Sequence, residues 1–232
     1  VELSTIGHSE QAIIVDKTPP IPGVVYDGPV FKLDLMFTMN IDMVCANWLN
    51  FHDPDSGIGK YEVGVGTEPG LMDIVNLTAF DDYVHETCIK LDNHLEHNTT
   101  YYTVIWASNQ GIKQRNASSV SDGVTVDLTP PVEGEVVDGN QSNFWDLEFS
   151  PSMSTVKLQW RNYYDPESDI KQYEVQILKA SNDSGQFDVI LGFTTLSMDT
   201  NSASWQNFHL DHRDRIKSQV KAVNRALNTK ET

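Results

Sequence analysis

Histidines and clustered carboxylates, the residue types that most often perform chemistry, occur at few places in this chain of 232 residues. His94 and His97 lie in the segment HLEH, whose two imidazoles could bind zinc. The segment has the pattern of a loop, however, and no third ligand follows nearby in the sequence. His85 begins HETCI, which lacks the second histidine of a zinc-protease helix. The histidines therefore predict neither a metal site nor a catalytic centre.

A glycine-rich segment, GVGTEPG at residues 64–70, follows a predicted strand. A phosphate-binding loop needs a helix directly after the glycines, and this sequence predicts a turn instead. The sequence also has no Gly-x-Ser-x-Gly nucleophile motif. We therefore expect no enzyme activity and no cofactor.

Two acidic turns are candidates for ion binding: DPDS beginning at Asp53 and DPES beginning at Asp165. Their carboxylates could supply the oxygen ligands that calcium prefers. EF-hand spacing is absent, and Asp followed by Pro is also typical of a tight turn in which the aspartate bonds its own backbone. We interpret both segments as turns, and the sequence leaves calcium binding open.

Composition narrows the class of protein. The chain has 39% apolar and 21% charged residues, as folded proteins do, and a net charge of −17. An acidic surface repels phosphate backbones and anionic lipids, so we expect neither nucleic-acid binding nor direct membrane binding. No apolar run approaches the ~20 residues of a membrane span. The opening VELSTIGHSEQ lacks the pattern of a signal peptide, and we expect any such segment to lie outside this sequence.

The elements that position these residues come in two copies. TPP at residues 18–20 recurs at 129–131, a separation of 111 residues. DPDSGIGKYEV at 53–63 resembles DPESDIKQYEV at 165–175, a separation of 112. Ala107 and Asn109 recur as Ala222 and Asn224, a separation of 115. Loop insertions produce such drift between two copies of one module.

Each copy shows apolar residues with a period of two, which predicts strands that bury one face. Turn signals separate the strands, and no segment has a helical pattern. A repeat of about 111 residues with these features is typical of a β-sandwich. The expected core residues are Trp48, Tyr61 and Tyr101 in the first copy and Trp160 and Tyr173 in the second. Trp160 is the counterpart of Trp48, and Tyr173 is the counterpart of Tyr61.

The order of these motifs resembles that of fibronectin type III modules. The most specific pattern is Leu95, Tyr101, Ala107 and Asn109, whose counterparts are Leu210, Ile216, Ala222 and Asn224. The resemblance implies two consecutive immunoglobulin-like β-sandwiches. The tyrosine of this pattern normally forms a tyrosine corner, which Ile216 cannot do.

The resemblance also sets the expected boundaries: a first module at residues 17–128 and a second at 129–232, with paired prolines where one module ends and the next begins. Residues 1–16 resemble the last strand of a preceding module, because QAIIVDKTPP matches DGVTVDLTPP. The second module is expected to lack its final strand, so we expect a piece of a longer array. Alternatively, the N-terminal strand completes the open sheet of a neighbouring molecule.

In this family the strands that carry Cys45 and Cys88 are neighbours in one sheet. The resemblance therefore implies a disulfide between them, in the first module only, because Lys157 replaces Cys45 in the second.

Asn-x-Ser/Thr sequons are frequent, and together with the expected disulfide they favour a secreted or cell-surface glycoprotein. They lie at Asn76, Asn98, Asn116, Asn140 and Asn182.

One strand of the first module is expected to expose an aromatic strip formed by Tyr102, Val104 and Trp106. The second module has Lys217, Gln219 and Lys221 there, so the strip is a candidate surface for a protein partner. The alternative is that a loop, a glycan at Asn98 or an adjoining module covers it.

We expect a non-catalytic, extracellular structural or adhesive segment that spaces modules and contacts proteins, including neighbouring repeats or further copies of itself. The alternatives are the ligand-binding ectodomain of a signalling receptor and an accessory arm of a secreted enzyme.

Overall fold

Alternating apolar and polar residues give this chain strands on both copies of the repeat. A computed structural model describes residues 13–111, 114–139, 143–181 and 185–229, and these ranges contain no helix. Most of the predicted N-terminal strand, residues 1–12, lies outside the described residues. Two compact units form: residues up to Met36 with Asn40–Thr125, and Phe37–Met39 with the residues from Val126 onward.

The strands of the described residues are, in chain order, β1 Val24–Asp27, β2 Phe37–Thr38, β3 Met43–Leu49, β4 Ile58–Gly66, β5 Val75–Asp81, β6 Glu86–Lys90, β7 Thr100–Asn109, β8 Asn116–Val120, β9 Val124–Val126, β10 Glu135–Asp138, β11 Val156–Arg161, β12 Ile170–Ala180, β13 Asp188–Ser197, β14 Ser202–Trp205 and β15 Arg215–Asn224.

The first module packs two sheets against each other. One has the strand order β1-β3-β6 and the other β2-β9-β7-β4-β5, with β8 also paired to β7. Trp48 of β3 is 0% exposed and meets Tyr61 of β4 edge to face, with 5.5 Å between the ring centroids. Val25, Val63 and Ile105 belong to the same buried cluster. The expected tryptophan therefore lies in the core between the two sheets.

The second module repeats this arrangement. Its sheets have the orders β10-β11-β14 and β13-β12-β15. Trp160 of β11 is 2% exposed and meets Tyr173 of β12 edge to face at 5.4 Å. The predicted fold class, all-β with two consecutive immunoglobulin-like β-sandwiches, is confirmed. Within residues 143–181 and 185–229, no strand corresponds to β2, β8 or β9.

The paired prolines stand where strand pairing starts. Proline has no backbone N–H and cannot donate to a ladder. The next residue after each pair does donate: Ile21 N to the carbonyl oxygen of His52, and Val132 N to that of Tyr164, both at 2.8 Å. Each Thr-Pro-Pro segment therefore ends directly at the first backbone contact with its own module.

Glycine is required soon afterwards because the backbone approaches a neighbouring strand. A Cβ atom on Gly23 would lie 2.1 Å from the carbonyl oxygen of Leu49. One on Gly134 would lie 2.2 Å from that of Arg161. No side chain fits at such distances, which explains why both copies keep this glycine.

The tyrosine corner exists in the first module only. The hydroxyl oxygen of Tyr101 accepts a hydrogen bond of 2.9 Å from the backbone N–H of Glu96. In the second module Ile216 packs against a buried cluster that includes Val156, Ile177 and Leu210. Apolar packing thus takes the place of the corner hydrogen bond.

Candidate functional site

The predicted partner surface lies on the outer face of β7, between β4 and β8. Tyr102 is opposite Gly66 of β4, and Trp106 is opposite Glu62. Both aromatic side chains are half-buried. The ring of Tyr102 also packs close to Gly123, where a Cβ atom would lie 2.7 Å from Cε1 of the ring. The face therefore offers the exposed parts of two aromatic rings.

The expected exposure of Val104 is wrong, because this residue is only 2% exposed. Val104 is opposite Gly64 in the register of β4 and β7. A Cβ atom on Gly64 would lie 2.7 Å from Cγ of Met72 and 3.2 Å from Cγ1 of Val104. Met72 belongs to the connection between β4 and β5, and this connection covers the middle of the strip. The partner surface is thus reduced to Tyr102 and Trp106.

The corresponding strand of the second module has polar side chains on its outer face. Its residues are Lys217, Gln219 and Lys221, and Nζ of Lys221 lies 3.6 Å from Oε2 of Glu174. The first module keeps a similar ion pair beside Trp106, since Nζ of Lys60 lies 3.0 Å from Oε2 of Glu62. Both modules therefore carry an ion pair on this face; the first has Tyr102 and Trp106 on its central strand, whereas in the second Nζ of Lys221 lies 5.8 Å from the ring centroid of Phe193 on β13.

Three of the five sequons lie on described residues, and each asparagine is exposed. Asn76 is on β5, Asn116 begins β8, and Asn98 precedes β7 with a φ of 60°. All three belong to, or lead into, the same sheet of the first module. Asn140 and Asn182 lie outside the described residues.

Cys45 and Cys88 form a disulfide, with an S–S distance of 2.07 Å. They are directly opposite each other on β3 and β6. Cys88 is exposed and Cys45 is half-buried, so the bond lies on the outer face of this sheet. The pairing that the sequence resemblance implied is present in the structure.

A polar cluster at the start of each module was not predicted. In the first module, Oδ2 of Asp16 accepts hydrogen bonds from Ser56 Oγ at 2.5 Å and from Asn109 Nδ2 at 2.8 Å. Asn109 also donates to the carbonyl oxygen of Thr18 at 3.0 Å. The hydrogen bonds from Ser56 and from the backbone N–H of Thr18 hold the pKa of Asp16 below its ordinary value.

The second module has the same cluster. Oδ2 of Asp127 accepts from Ser168 Oγ at 2.6 Å and from Asn224 Nδ2 at 2.9 Å, and Asn224 donates to the carbonyl oxygen of Thr129 at 3.0 Å. Asp127 and Asn224 are fully buried. The signal for this cluster was present in the sequence as an aspartate two residues before each Thr-Pro-Pro and the last asparagine of each Ala-x-Asn. Each linker is thereby anchored to the module that follows it.

The acidic turns have the geometry of turns. Oδ1 of Asp53 accepts from the backbone N–H groups of Asp55 and Ser56, at 3.0 and 2.8 Å. Oδ1 of Asp165 accepts equivalent bonds at 3.1 and 2.8 Å. Carboxylate oxygens of Asp127, Asp165 and Glu167 lie within 4.8 Å of one another, but those of Asp127 and Asp165 already accept bonds from protein donors. These contacts support the turn interpretation.

A second group of carboxylates surrounds Asp27, which is 0% exposed. Its Oδ2 accepts from the backbone N–H of Gly123 at 3.0 Å, and carboxylate oxygens of Asp34 and Asp122 lie within 4.8 Å. The pKa of Asp27 is raised to about 7, chiefly by burial and also by the charge of Asp34, against a hydrogen bond from Ser121 that lowers it. Asp138, the counterpart in the second module, has a pKa that burial also raises.

The histidine segment is a loop, as expected. Nδ1 of His94 lies 2.5 Å from Oδ1 of Asp42, and both side chains are exposed. Gly64 and Gly66 fall within β4, and the turn follows them. In the part of the chain that the structure describes, no helix is long and apolar enough to cross a bilayer.

No protein-family model matches this chain, and no curated protein does. Among solved structures, 153 chains are similar to it. One is the crystal structure of the FN1–FN3 domains of chicken CNTN1, with 14% sequence identity and a TM-score of 0.46. The alignment covers 92% of this chain and 66% of that one, so this chain spans just under two thirds of its length.

Proposed function

We propose that this chain, which consists of two consecutive fibronectin type III-like modules, is a non-catalytic segment of an extracellular glycoprotein that spaces its neighbours and binds protein partners. The observation that carries the proposal is the pair of half-buried aromatic rings, Tyr102 and Trp106, on the outer face of β7. Lysines occupy the equivalent positions of the second module. The binding surface therefore belongs to one module, and the other acts as a spacer.

The chemistry of this face suits a protein partner. Trp and Tyr are the residue types that most often dominate the energy of protein interfaces, because their large rings lose contact with water at little cost in conformational entropy. The ion pair of Lys60 and Glu62 lies directly beside Trp106 and supplies the polar rim that such interfaces have. Val104, between the two rings in the sequence of β7, is buried and does not take part in the surface.

The disulfide and the sequons support an extracellular location. Disulfides persist in oxidising compartments and are rare in the cytosol. Asn76, Asn98 and Asn116 are exposed, as acceptor sites for glycosylation must be.

Binding measurements on the disulfide-bonded chain test the proposal. A partner captured from extracellular extracts is identified, purified and titrated against the chain. We expect Trp106→Ala to raise the dissociation constant roughly 30-fold and Tyr102→Ala to raise it roughly 10-fold, because truncation of an aromatic anchor weakens binding by such amounts. The matched controls Lys221→Ala and Lys217→Ala change the same strand positions of the second module and leave binding unchanged. Unaltered affinity in both aromatic variants contradicts the proposal.

A further inference from the structure

A glycosylation sequon lies beside Trp106 on the neighbouring strand. Asn116, Ala117 and Ser118 begin β8, which pairs antiparallel with β7. Ser118 is directly opposite Trp106, and Asn116 is opposite Ser108, the second residue after Trp106. Directly opposite residues of an antiparallel pair have Cβ atoms about 4.5–5.5 Å apart, and diagonal neighbours lie about 7–8 Å apart. Asn116 is thus a diagonal neighbour of Trp106.

The side chains of this sequon point to the same side of the sheet as the Trp106 ring. Ala117 is opposite Ala107, which is 0% exposed and belongs to the core. Successive side chains of a strand alternate between the two faces, so Asn116 and Ser118 project from the outer face. Both residues are exposed. A group attached to Asn116 therefore leaves the module on the face that carries Trp106.

The surroundings of the ring leave room on the side of β8. On the other side Trp106 is opposite Glu62, whose Oε2 lies 3.0 Å from Nζ of Lys60. Towards β8 the directly opposite side chain is the small hydroxyl of Ser118. Trp106 is half-buried, so part of its ring has no cover from the protein. Among the strands of the described residues β8 pairs only with β7, so a bulky group on Asn116 meets no further strand.

N-glycosylation of Asn116 brings a sugar ring to Trp106. The amide nitrogen of the side chain loses a proton and forms a bond to C1 of N-acetylglucosamine, while the diphosphate-lipid carrier of the oligosaccharide donor leaves. One face of this sugar presents C–H groups, and the face of an aromatic ring carries the partial negative charge that attracts such hydrogens. The covalent bond already holds the sugar near the ring, so the contact costs little freedom of motion.

We propose that the innermost N-acetylglucosamine on Asn116 packs on the ring of Trp106 and closes this part of the partner surface. The inference rests on the proposed function, in which Trp106 anchors a protein partner. Copies of the chain with this glycan bind the partner weakly, and copies without it bind through the free ring. Tyr102 lies four residues, roughly 13 Å, along β7 and does not contact this sugar. Occupancy of one sequon thereby regulates the surface.

Hydroxyl-radical footprinting of the free chain tests the packing without any partner. The chain is produced in eukaryotic cells, glycopeptide mass spectrometry establishes the glycan at Asn116, and fragment spectra give the oxidation rate of each aromatic residue. We expect Trp106 to be oxidised several-fold faster in Asn116→Gln and in Ser118→Ala than in the glycosylated wild type, whereas Tyr102 changes little. Trimming the glycan to its first sugar keeps the protection, because that sugar makes the contact. Both substituted positions are exposed, so the variants fold.

Asn76→Gln is the matched control for footprinting. It removes a sequon on β5, which β4 separates from β7, and leaves the oxidation of Trp106 unchanged. Equal oxidation of Trp106 in the wild type and in both sequon variants overturns the inference. So does the absence of a glycan from Asn116.

Titration of the captured partner measures the regulation. We expect Asn116→Gln to bind it about 10-fold more tightly than the glycosylated wild type, because one aromatic anchor becomes free, and Asn76→Gln to bind like the wild type. Equal affinity of the wild type and Asn116→Gln overturns the regulation. The proposed function fails separately: if the glycan protects Trp106 but Trp106→Ala in the chain without this glycan binds the partner unchanged, the sugar contact stands and the partner uses another surface.

Discussion

At the level of single residues, Asp27 determines how the first module responds to pH. Its carboxyl is fully buried, and the carboxylates of Asp34 and Asp122 are close by. The hydrogen-bond donors around it are hydroxyl and backbone N–H groups, namely those of Thr103, Ser121 and Gly123. These donors stabilise the ionised form, but burial and the nearby charges of Asp34 and Asp122 outweigh them and favour the protonated form.

We predict that the first module is more stable at mildly acidic pH. The pKa of Asp27 is raised from 3.8 to about 7, so between these values the folded state holds a proton that the unfolded chain has released. The free energy of unfolding therefore falls as the pH rises through this window, by at most about 1.4 kcal/mol per pH unit. Asp27→Asn flattens this dependence and raises the melting temperature near neutral pH.

Hydrogen exchange of the first module, followed from about pH 5 to about pH 7.5 with correction for intrinsic rates, measures this effect. Asp92→Asn is the control, because it removes an exposed carboxylate outside the cluster. A pH dependence that is unchanged in Asp27→Asn contradicts the assignment.

Individual residues also show how far the sequence alone reaches. Trp48 and Trp160 could be placed in the core because alternation and repetition both pointed there. The roles of Asp16 and Asp127 could not be predicted in the same way, because their partners Asn109 and Asn224 are more than ninety positions away. Only the fold brings such distant polar groups together.

At the level of elements, the disulfide joins the second and third strands of one sheet, β3 and β6. It closes a loop between residues 43 positions apart in the sequence. Cross-linking a loop of this size reduces the conformational freedom of the unfolded chain, which corresponds to about 4 kcal/mol in the chain-entropy model.

We predict that Cys45→Ser/Cys88→Ser destabilises the first module by ~2–4 kcal/mol and leaves the second module unchanged. Urea unfolding followed by hydrogen exchange, resolved by module, measures both. Reduction of the wild-type disulfide is the control and gives the same loss. An equal loss of protection in β11 and β12 contradicts the prediction.

The alternation of residues on β7 predicted the exposure of its side chains only in part. The period of two in β7 correctly separated the buried side of Tyr101 and Ile105 from the outer side of Tyr102 and Trp106. It could not show that Met72 lies over Val104, because that contact depends on how the connection between β4 and β5 folds. Connections of this kind have no periodic signal.

At the level of the whole molecule, each module has a hydrophobic core of its own. The buried cluster around Trp48 draws on strands of the first module, and the cluster around Trp160 on strands of the second. A domain with its own core can unfold as a separate cooperative unit.

We predict that Trp48→Ala costs the first module ~3–5 kcal/mol and that Trp160→Ala costs the second a similar amount, because each change removes a fully buried ring. Hydrogen exchange then shows lost protection in one module per variant, and the effects add in the double variant. Loss of protection in both modules from either single change contradicts this expectation.

The cross-link between β3 and β6 has a mechanical consequence. When the polypeptide is stretched, the residues between Cys45 and Cys88, 43 positions apart, cannot extend. An extended residue spans ~3.3–3.6 Å, so this bond shortens the end-to-end extension of the unfolded first module by roughly 150 Å. The two modules, similar at rest, therefore yield unequal lengths under tension, and reduction of one covalent bond releases the difference.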